Sequence, residues 1–328
     1  MTFVMPIYLC LLQWWHRLPK YPAMASLSHR QGWSLAVLLA VFPCLLCARA
    51  DNDSLPTTYR TQSSEVRVTF FATDGSNRLV DSIGRDDFAV VDGEMVVRDF
   101  RSLTRSQETK LDIVLLVDAS ESVAPRFHAI TEQVLKLISQ KHLGDDLSVI
   151  TFSGLRPALL CAADCGASTE HKIRALNPAG AATPLFDSLV FSAQYIGSRH
   201  TPGVRQVVIL LSDGNDTISA ASGRHALDAV METGALLYTV NPDKSARDLR
   251  GSLALQQMAE ATGGRSFSSQ NDVTDVLEAA LADLRSSYVV TYALPSHGAG
   301  FHSLRILPKH NLNLRFHCRR GYFYDEGR

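Results

Sequence analysis

No acidic residue occurs in the first 50 positions of this sequence, although Arg17, Lys20, Arg30 and Arg49 do. That asymmetry is foreign to an ordinary globular surface and suits a targeting segment. The chain also lacks any long polar or low-complexity tract, and 46% of its 328 residues are hydrophobic. This excludes a disordered chain and leaves apolar surface for one large core or two smaller ones. A basic excess is absent as well. Beyond position 50, 28 basic residues face 33 acidic ones, a net charge of about −5 that argues against a nucleic-acid partner.

Cysteine is scarce, with six in all and only Cys161, Cys165 and Cys318 beyond position 50. An oxidising compartment would permit one disulfide with one thiol left over, and the stretch CAADC fits a local Cys161–Cys165 bridge. Zinc is the rival for these cysteines, but it wants four ligands, and neither Cys nor His recurs at paired spacing elsewhere. There is no phosphate-cradling loop, TGGRS lacks the rest of a Walker or dinucleotide fingerprint, and no internal repeat is found.

What is present begins with the leader. From Met24, MASLSHRQGWSLAVLLAVFPCLLCARA offers a basic start, an apolar run from Trp33 to Cys47 and a small-x-small Ala48-Arg49-Ala50 cleavage site. Residues 1–50 are therefore expected to be an export signal, with the true start at Met24. An uncleaved anchor is the rival, disfavoured because the run is short for a span and carries Pro43 near its end. Cleavage would leave a mature chain without a stable membrane span, placed in the periplasm, the cell envelope or outside the cell.

Residues 51–62 read as a linker. A β-rich module is expected over 63–107, where EVRVTFFATDG alternates and DFAVVDGEMVVRDF sets Asp92-Gly93 between two β-rich runs. From Leu111 apolar strands alternate with amphipathic helices. That rhythm predicts an α/β fold over 108–290, a doubly wound, mainly parallel sheet covered on both faces. Its strands are expected at Leu111–Val117, Leu147–Phe152, Gln206–Leu211 and Leu236–Val240. Helical stripes run through Phe127, Ile130, Val134 and Leu137 and through Val273 to Leu284. SSYVVTYAL, FHSLRILP and NLNLRFHCRRGYF, largely within 291–328, leave the rhythm; they either extend the sheet edge or fold back onto the N-terminal β module.

In an open parallel sheet, ligands bind beyond the carboxyl ends of the strands. Three positions there are rich in oxygen: DASES (Asp118, Ser120, Ser122) after the first strand, SDGND (Asp213, Asp216) after the third, and the loop GAATPLFD with Thr183. Singly, each is ordinary capping or turn chemistry. Together they offer hydroxyls and two carboxylates to a hard divalent cation.

The set D-x-S-x-S, a loop Thr and a strand-terminal S-D-G resembles the metal-ion-dependent adhesion site of von Willebrand factor type A domains. The resemblance implies that Ser120, Ser122 and Thr183 bind Mg²⁺ or Mn²⁺ by hydroxyl, and that Asp118 and Asp213 bind it directly or through water. It implies a protein partner that completes the metal with a carboxylate, so a binding module and not an enzyme. Over residues 63–325 the chain is also similar to a bacterial group of von Willebrand factor A-related proteins prominent in acidobacteria. There, a segment like DDFAVVDGEMVVRDF precedes the domain, and LRSSYVVTY, FHSLRI and RRGYF follow it. Where the family has glycines before the loop Thr, this chain has Ala181-Ala182, and alanine tolerates positive φ less well. The enzyme alternative is a haloacid-dehalogenase-like phosphatase with Asp118 as nucleophile. That chemistry wants a second acid two residues on, where this chain has Ser120.

Overall fold

Four strands come first, β1 (Glu65–Thr73), β2 (Phe88–Asp92), β3 (Met95–Val97) and β4 (Phe100–Arg105). Then β5 (Leu111–Asp118) leads through a 3-10 turn at Glu121–Arg126 into α1 (Phe127–Gln140), followed by β6 (Asp146–Ser153) and β7 (Arg156–Cys161). The alternation continues with α2 (Ala167–Arg174), α3 (Leu185–Gly197), β8 (Arg205–Leu211), α4 (Gly223–Thr233), β9 (Leu236–Asn241), α5 (Leu249–Thr262), β10 (Ser266–Ser268) and α6 (Val273–Arg285). The last strands are β11 (Tyr288–Ala293), β12 (Gly300–Pro308), β13 (Arg315–Cys318) and β14 (Gly321–Tyr324). This computed structural model describes residues 65–105, 110–140, 145–242, 249–268, 273–294 and 299–324; the expected export signal and linker lie outside them.

The central sheet has the order β10-β9-β8-β5-β6-β7, and every neighbouring pair is parallel except β6 with β7. β5 is buried at all of its positions because helices cover both faces. Ile113, Leu115 and Val117 pack with α1, α2 and α6, whereas Val114 and Leu116 pack with α3, α4 and α5. This is the period-2 alternation of a strand read by two apolar layers. Each fully buried side chain contributes about 1.5–3 kcal/mol. The fold is the expected doubly wound α/β arrangement, with the four expected strands each within one residue of their observed ends. The antiparallel edge strand β7 and the short β10 were not expected.

The remaining strands build two four-stranded sheets, β13-β1-β11-β4 and β14-β12-β2-β3. Both contribute to one core around Val68, Phe70, Phe88, Val90, Val290 and Ile306, and the Phe70 and Phe88 rings lie 4.9 Å apart. The terminal runs therefore fold back onto the N-terminal strands. The β2–β3 turn falls on Gly93-Glu94, one residue later than the Asp92-Gly93 signal suggests, because Asp92 pairs with Met95. β4 leaves this sandwich beside the strand that returns to it, with Arg105 paired to Tyr288.

A polar cluster crosses the sandwich. The fully buried Asp92 carboxyl accepts hydrogen bonds at Oδ2 from Tyr292 (2.8 Å) and Tyr322 (2.7 Å). Among the described residues its Oδ1 has no hydrogen-bond partner, and it lies 3.8 Å from His302 Nδ1. Burial, and then the bonds to Asp92, hold both tyrosines far above the usual phenol range, so they remain donors.

Candidate metal centre

β5 and β8 are neighbours, although the chain runs from β5 to β6 on one side before crossing to β8 on the other. The carboxyl ends of β5 and β8 thus form the sheet's switch point, where loops diverge and leave a crevice. Asp118 ends β5 with a fully buried side chain. Its Oδ1 accepts the Ser120 N–H at 2.9 Å, and its Oδ2 accepts the Ser212 hydroxyl at 2.7 Å. Ser120, also buried, has its hydroxyl 3.0 Å from that of the exposed Ser122. The extended backbone of Ser120 (φ −75°, ψ 165°) starts the 3-10 turn and aims both serine hydroxyls along one edge.

Asp213 follows Ser212 directly and is half-buried, and its Oδ1 accepts the Asn215 N–H at 3.0 Å. Gly214 carries the turn at φ +87°, and a Cβ there would sit 2.5 Å from the Gly251 carbonyl, so only glycine fits. Burial is the largest influence raising the Asp118 pKa; the Ser120 and Ser212 bonds oppose it, and the Asp213 charge adds to it. Asp118 and Asp213 are therefore close enough to repel, and no Lys, Arg or His among the described residues forms an ion pair with either. Two acids with hydroxyls around them suit a dication.

The loop carrying Thr183 is bound to the same edge by backbone bonds. Ala179 donates to the Ala119 carbonyl (2.9 Å), Glu121 to that of Gly180 (3.1 Å), and Gly154 to that of Ala182 (2.8 Å). Thr183 is buried; its N–H donates to the Thr217 hydroxyl at 2.7 Å, and the Thr217 N–H returns to its carbonyl at 3.0 Å. The left-handed conformation in this loop falls on Gly180 (φ +87°), so Ala181 and Ala182 need not adopt it. Asp118, Ser120 and Ser122 are joined by direct hydrogen bonds and Asp213 by its charge. Thr183 comes to the edge through its backbone, and among the described residues no hydrogen bond ties its side chain to the other four.

Sequence reasoning passed over Ser212 and Thr217, which orient Asp118 and Thr183. The Ser before Asp213 lay within the SDGND signal, but its bond to a residue 94 positions away is visible only in three dimensions. Asp216, part of the same signal, instead accepts the Phe186 N–H at 3.3 Å and acts as a cap for α3. Cys161 and Cys165 are bridged with Cα atoms 5.7 Å apart, and Cys318 is free. Among the described residues, no three His, Cys, Asp or Glu side chains form a metal cluster.

Residues 113–215 match the family model of the von Willebrand factor type A domain, a span that runs from β5 to the Asp213 turn. The chain carries a von Willebrand factor type A domain. Among solved structures, the chain is similar to an aerotolerance-related membrane protein from Bacteroides fragilis at 15% identity, covering 53% of this chain and 98% of that one with a TM-score of 0.43. It is similar to manganese-loaded TRAP protein from Plasmodium vivax at 16% identity, covering 72% and 99% with a TM-score of 0.44. A pilus adhesin, SpaC from Lactobacillus rhamnosus GG, matches at 14% identity over 61% and 34% with a TM-score of 0.43. No curated protein matches the sequence. No helix among the described residues is long and apolar enough to cross a membrane.

Proposed function

We propose that this chain is an exported protein-binding module of adhesion or assembly type, in which Asp118, Ser120, Ser122, Thr183 and Asp213 hold one Mg²⁺ or Mn²⁺. The observation that carries this reading is the Asp118–Asp213 pair at the sheet's switch point, buried or half-buried, mutually repelling and without a cationic partner among the described residues. A dication would relieve that repulsion. With two carboxylates it is only neutralised, and hydroxyl ligands donate weakly, so a further anionic oxygen from a partner protein is well stabilised there. On this reading the residues bind and orient a ligand, and the module is not an enzyme.

The type A domain would extend over 108–290, with 63–107 and 291–328 as the accessory β segments. That arrangement supports placing the chain in the bacterial von Willebrand factor A-related group. Export with cleavage after Ala50 would put the module in the periplasm, the envelope or the medium. Nothing in the fold or the site favours the phosphatase alternative.

Titration calorimetry with Mg²⁺ tests the metal reading. Binding is expected in the parent chain and absent in Asp118→Ala and in Thr183→Ala, with both variants folded by circular dichroism. Equal Mg²⁺ binding in all three proteins, or Mg²⁺-dependent hydrolysis of a phosphomonoester that Asp118→Asn abolishes, would overturn it.

A further inference from the structure

The loop carrying Thr183 is gripped from two sides, and each grip sets an aliphatic side chain beside it. On one side Gly154 donates to Ala182 at 2.8 Å. Gly154 and Leu155 form the two-residue turn between β6 and β7, because Ser153 pairs with Arg156. Gly154 at φ +64° fills the first turn position, as a type II′ hairpin requires. Leu155 takes the second, 76% exposed, where polar residues are the rule. On the other side Thr217 bonds Thr183, and the next residue is Ile218, 45% exposed. Ile218 is fixed between Thr217 and Ser219, whose hydroxyl donates to Asp216 and accepts the Asp187 N–H at 3.1 Å. Neither side chain fills a core. Both stand on pinned backbone, so covering them demands little new ordering. The exposed Arg156 adds a positive charge at the Leu155 turn.

We propose that Leu155 and Ile218 determine which ligand the site accepts, by receiving apolar side chains on either side of the partner's metal-binding acid. This rests on the metal reading above and narrows it. The recognised segment is an acidic peptide of the pattern apolar, Asp or Glu, apolar. A sugar acid fits poorly, because its hydroxyls would lose water against two aliphatic side chains without gaining partners.

The test selects a phage-displayed library of short peptides with a fixed central Asp or Glu and random flanks, on the full chain in Mg²⁺. Enrichment of Leu, Ile, Val, Met or Phe beside the acid is expected. The double variant Leu155→Ser/Ile218→Ser is expected to bind the enriched peptide at least about tenfold more weakly, while its Mg²⁺ isotherm matches that of the parent. Polar or unbiased flanks, an unchanged affinity in the double variant, or tighter binding of an oligogalacturonate would each overturn the proposal while the metal reading stands. A flat Mg²⁺ isotherm in the parent chain would remove the metal reading and this one with it.

Discussion

Asp118 and Asp92 are both fully buried carboxyls at strand ends, but their surroundings differ. Asp118 takes one backbone N–H and one serine hydroxyl, beside a second acid. Asp92 takes two tyrosine hydroxyls from two other strands, with a histidine ring near its remaining oxygen. The first is surrounded by groups that leave its charge unbalanced. The second is surrounded by donors that tie sheets together. Equal burial thus carries opposite meanings: under the proposed function a carboxyl kept for a ligand, and in the β sandwich a carboxyl used as a clamp.

Exchanging the two losses should separate these roles. Asp92→Ala strands two buried phenol donors and is expected to lower unfolding stability by about 3 kcal/mol or more in a urea titration, with Mg²⁺ affinity unchanged. Asp118→Ala is expected to do the reverse, abolishing the Mg²⁺ isotherm while stability moves by no more than about 1 kcal/mol, since the lost bonds are offset by relief of repulsion. Matching stability losses in the two variants would erase the contrast.

Mg²⁺ itself should sharpen it. At a hundredfold excess over Kd the ion is expected to stabilise the parent chain by about 2.7 kcal/mol, read as a rise in Tm that EDTA reverses. Asp92→Asn should keep that increment and Asp118→Ala should lose it.

Smaller effects are expected away from both acids. Replacing Cys161 and Cys165 by Ser should lower stability by about 2 kcal/mol or less, because the closed loop is short; unfolding of the parent with and without reductant measures it. At His317, burial pushes the pKa down to about 4, and the ring stacks on Phe71 and hydrogen-bonds Thr73. The unfolded chain binds this proton near pH 6.5 and the folded chain only near 4, so stability is full above 6.5 and declines as pH falls towards 4. His317→Phe should flatten that decline, which cannot exceed about 1.4 kcal/mol per pH unit. A parallel pH profile in the variant would show that the proton goes elsewhere.

The central sheet was legible because a strand covered on both faces must be apolar throughout, and LDIVLLVD and RQVVILL announce this directly. β7 was not. RPALLC opens with Arg and Pro and is only half-buried, as an edge strand can be, so it carries no strong period. The accessory strands could be recognised singly, but alternation names a buried face and never a partner, so the pairing of β2 with β12 needed the structure. In the candidate centre, the proposed oxygen ligands stood out by spacing. Ser212, Thr217, and the close approach of Gly214 to Gly251 act through space, and no local pattern marks them.

The neighbouring exit and entry strands, β4 and β11, also bear on the order of events at the ribosome. Arg105 and Tyr288, which pair across them, are 183 residues apart in the chain. At roughly 5–20 residues per second, the first four strands wait on the order of 10–40 s for their partners to be made. During that time Phe70 and Phe88 have no completed sheet to cover them. A slow, late docking phase and a need for protection of nascent β1 and β2 follow from the position of two adjacent strands.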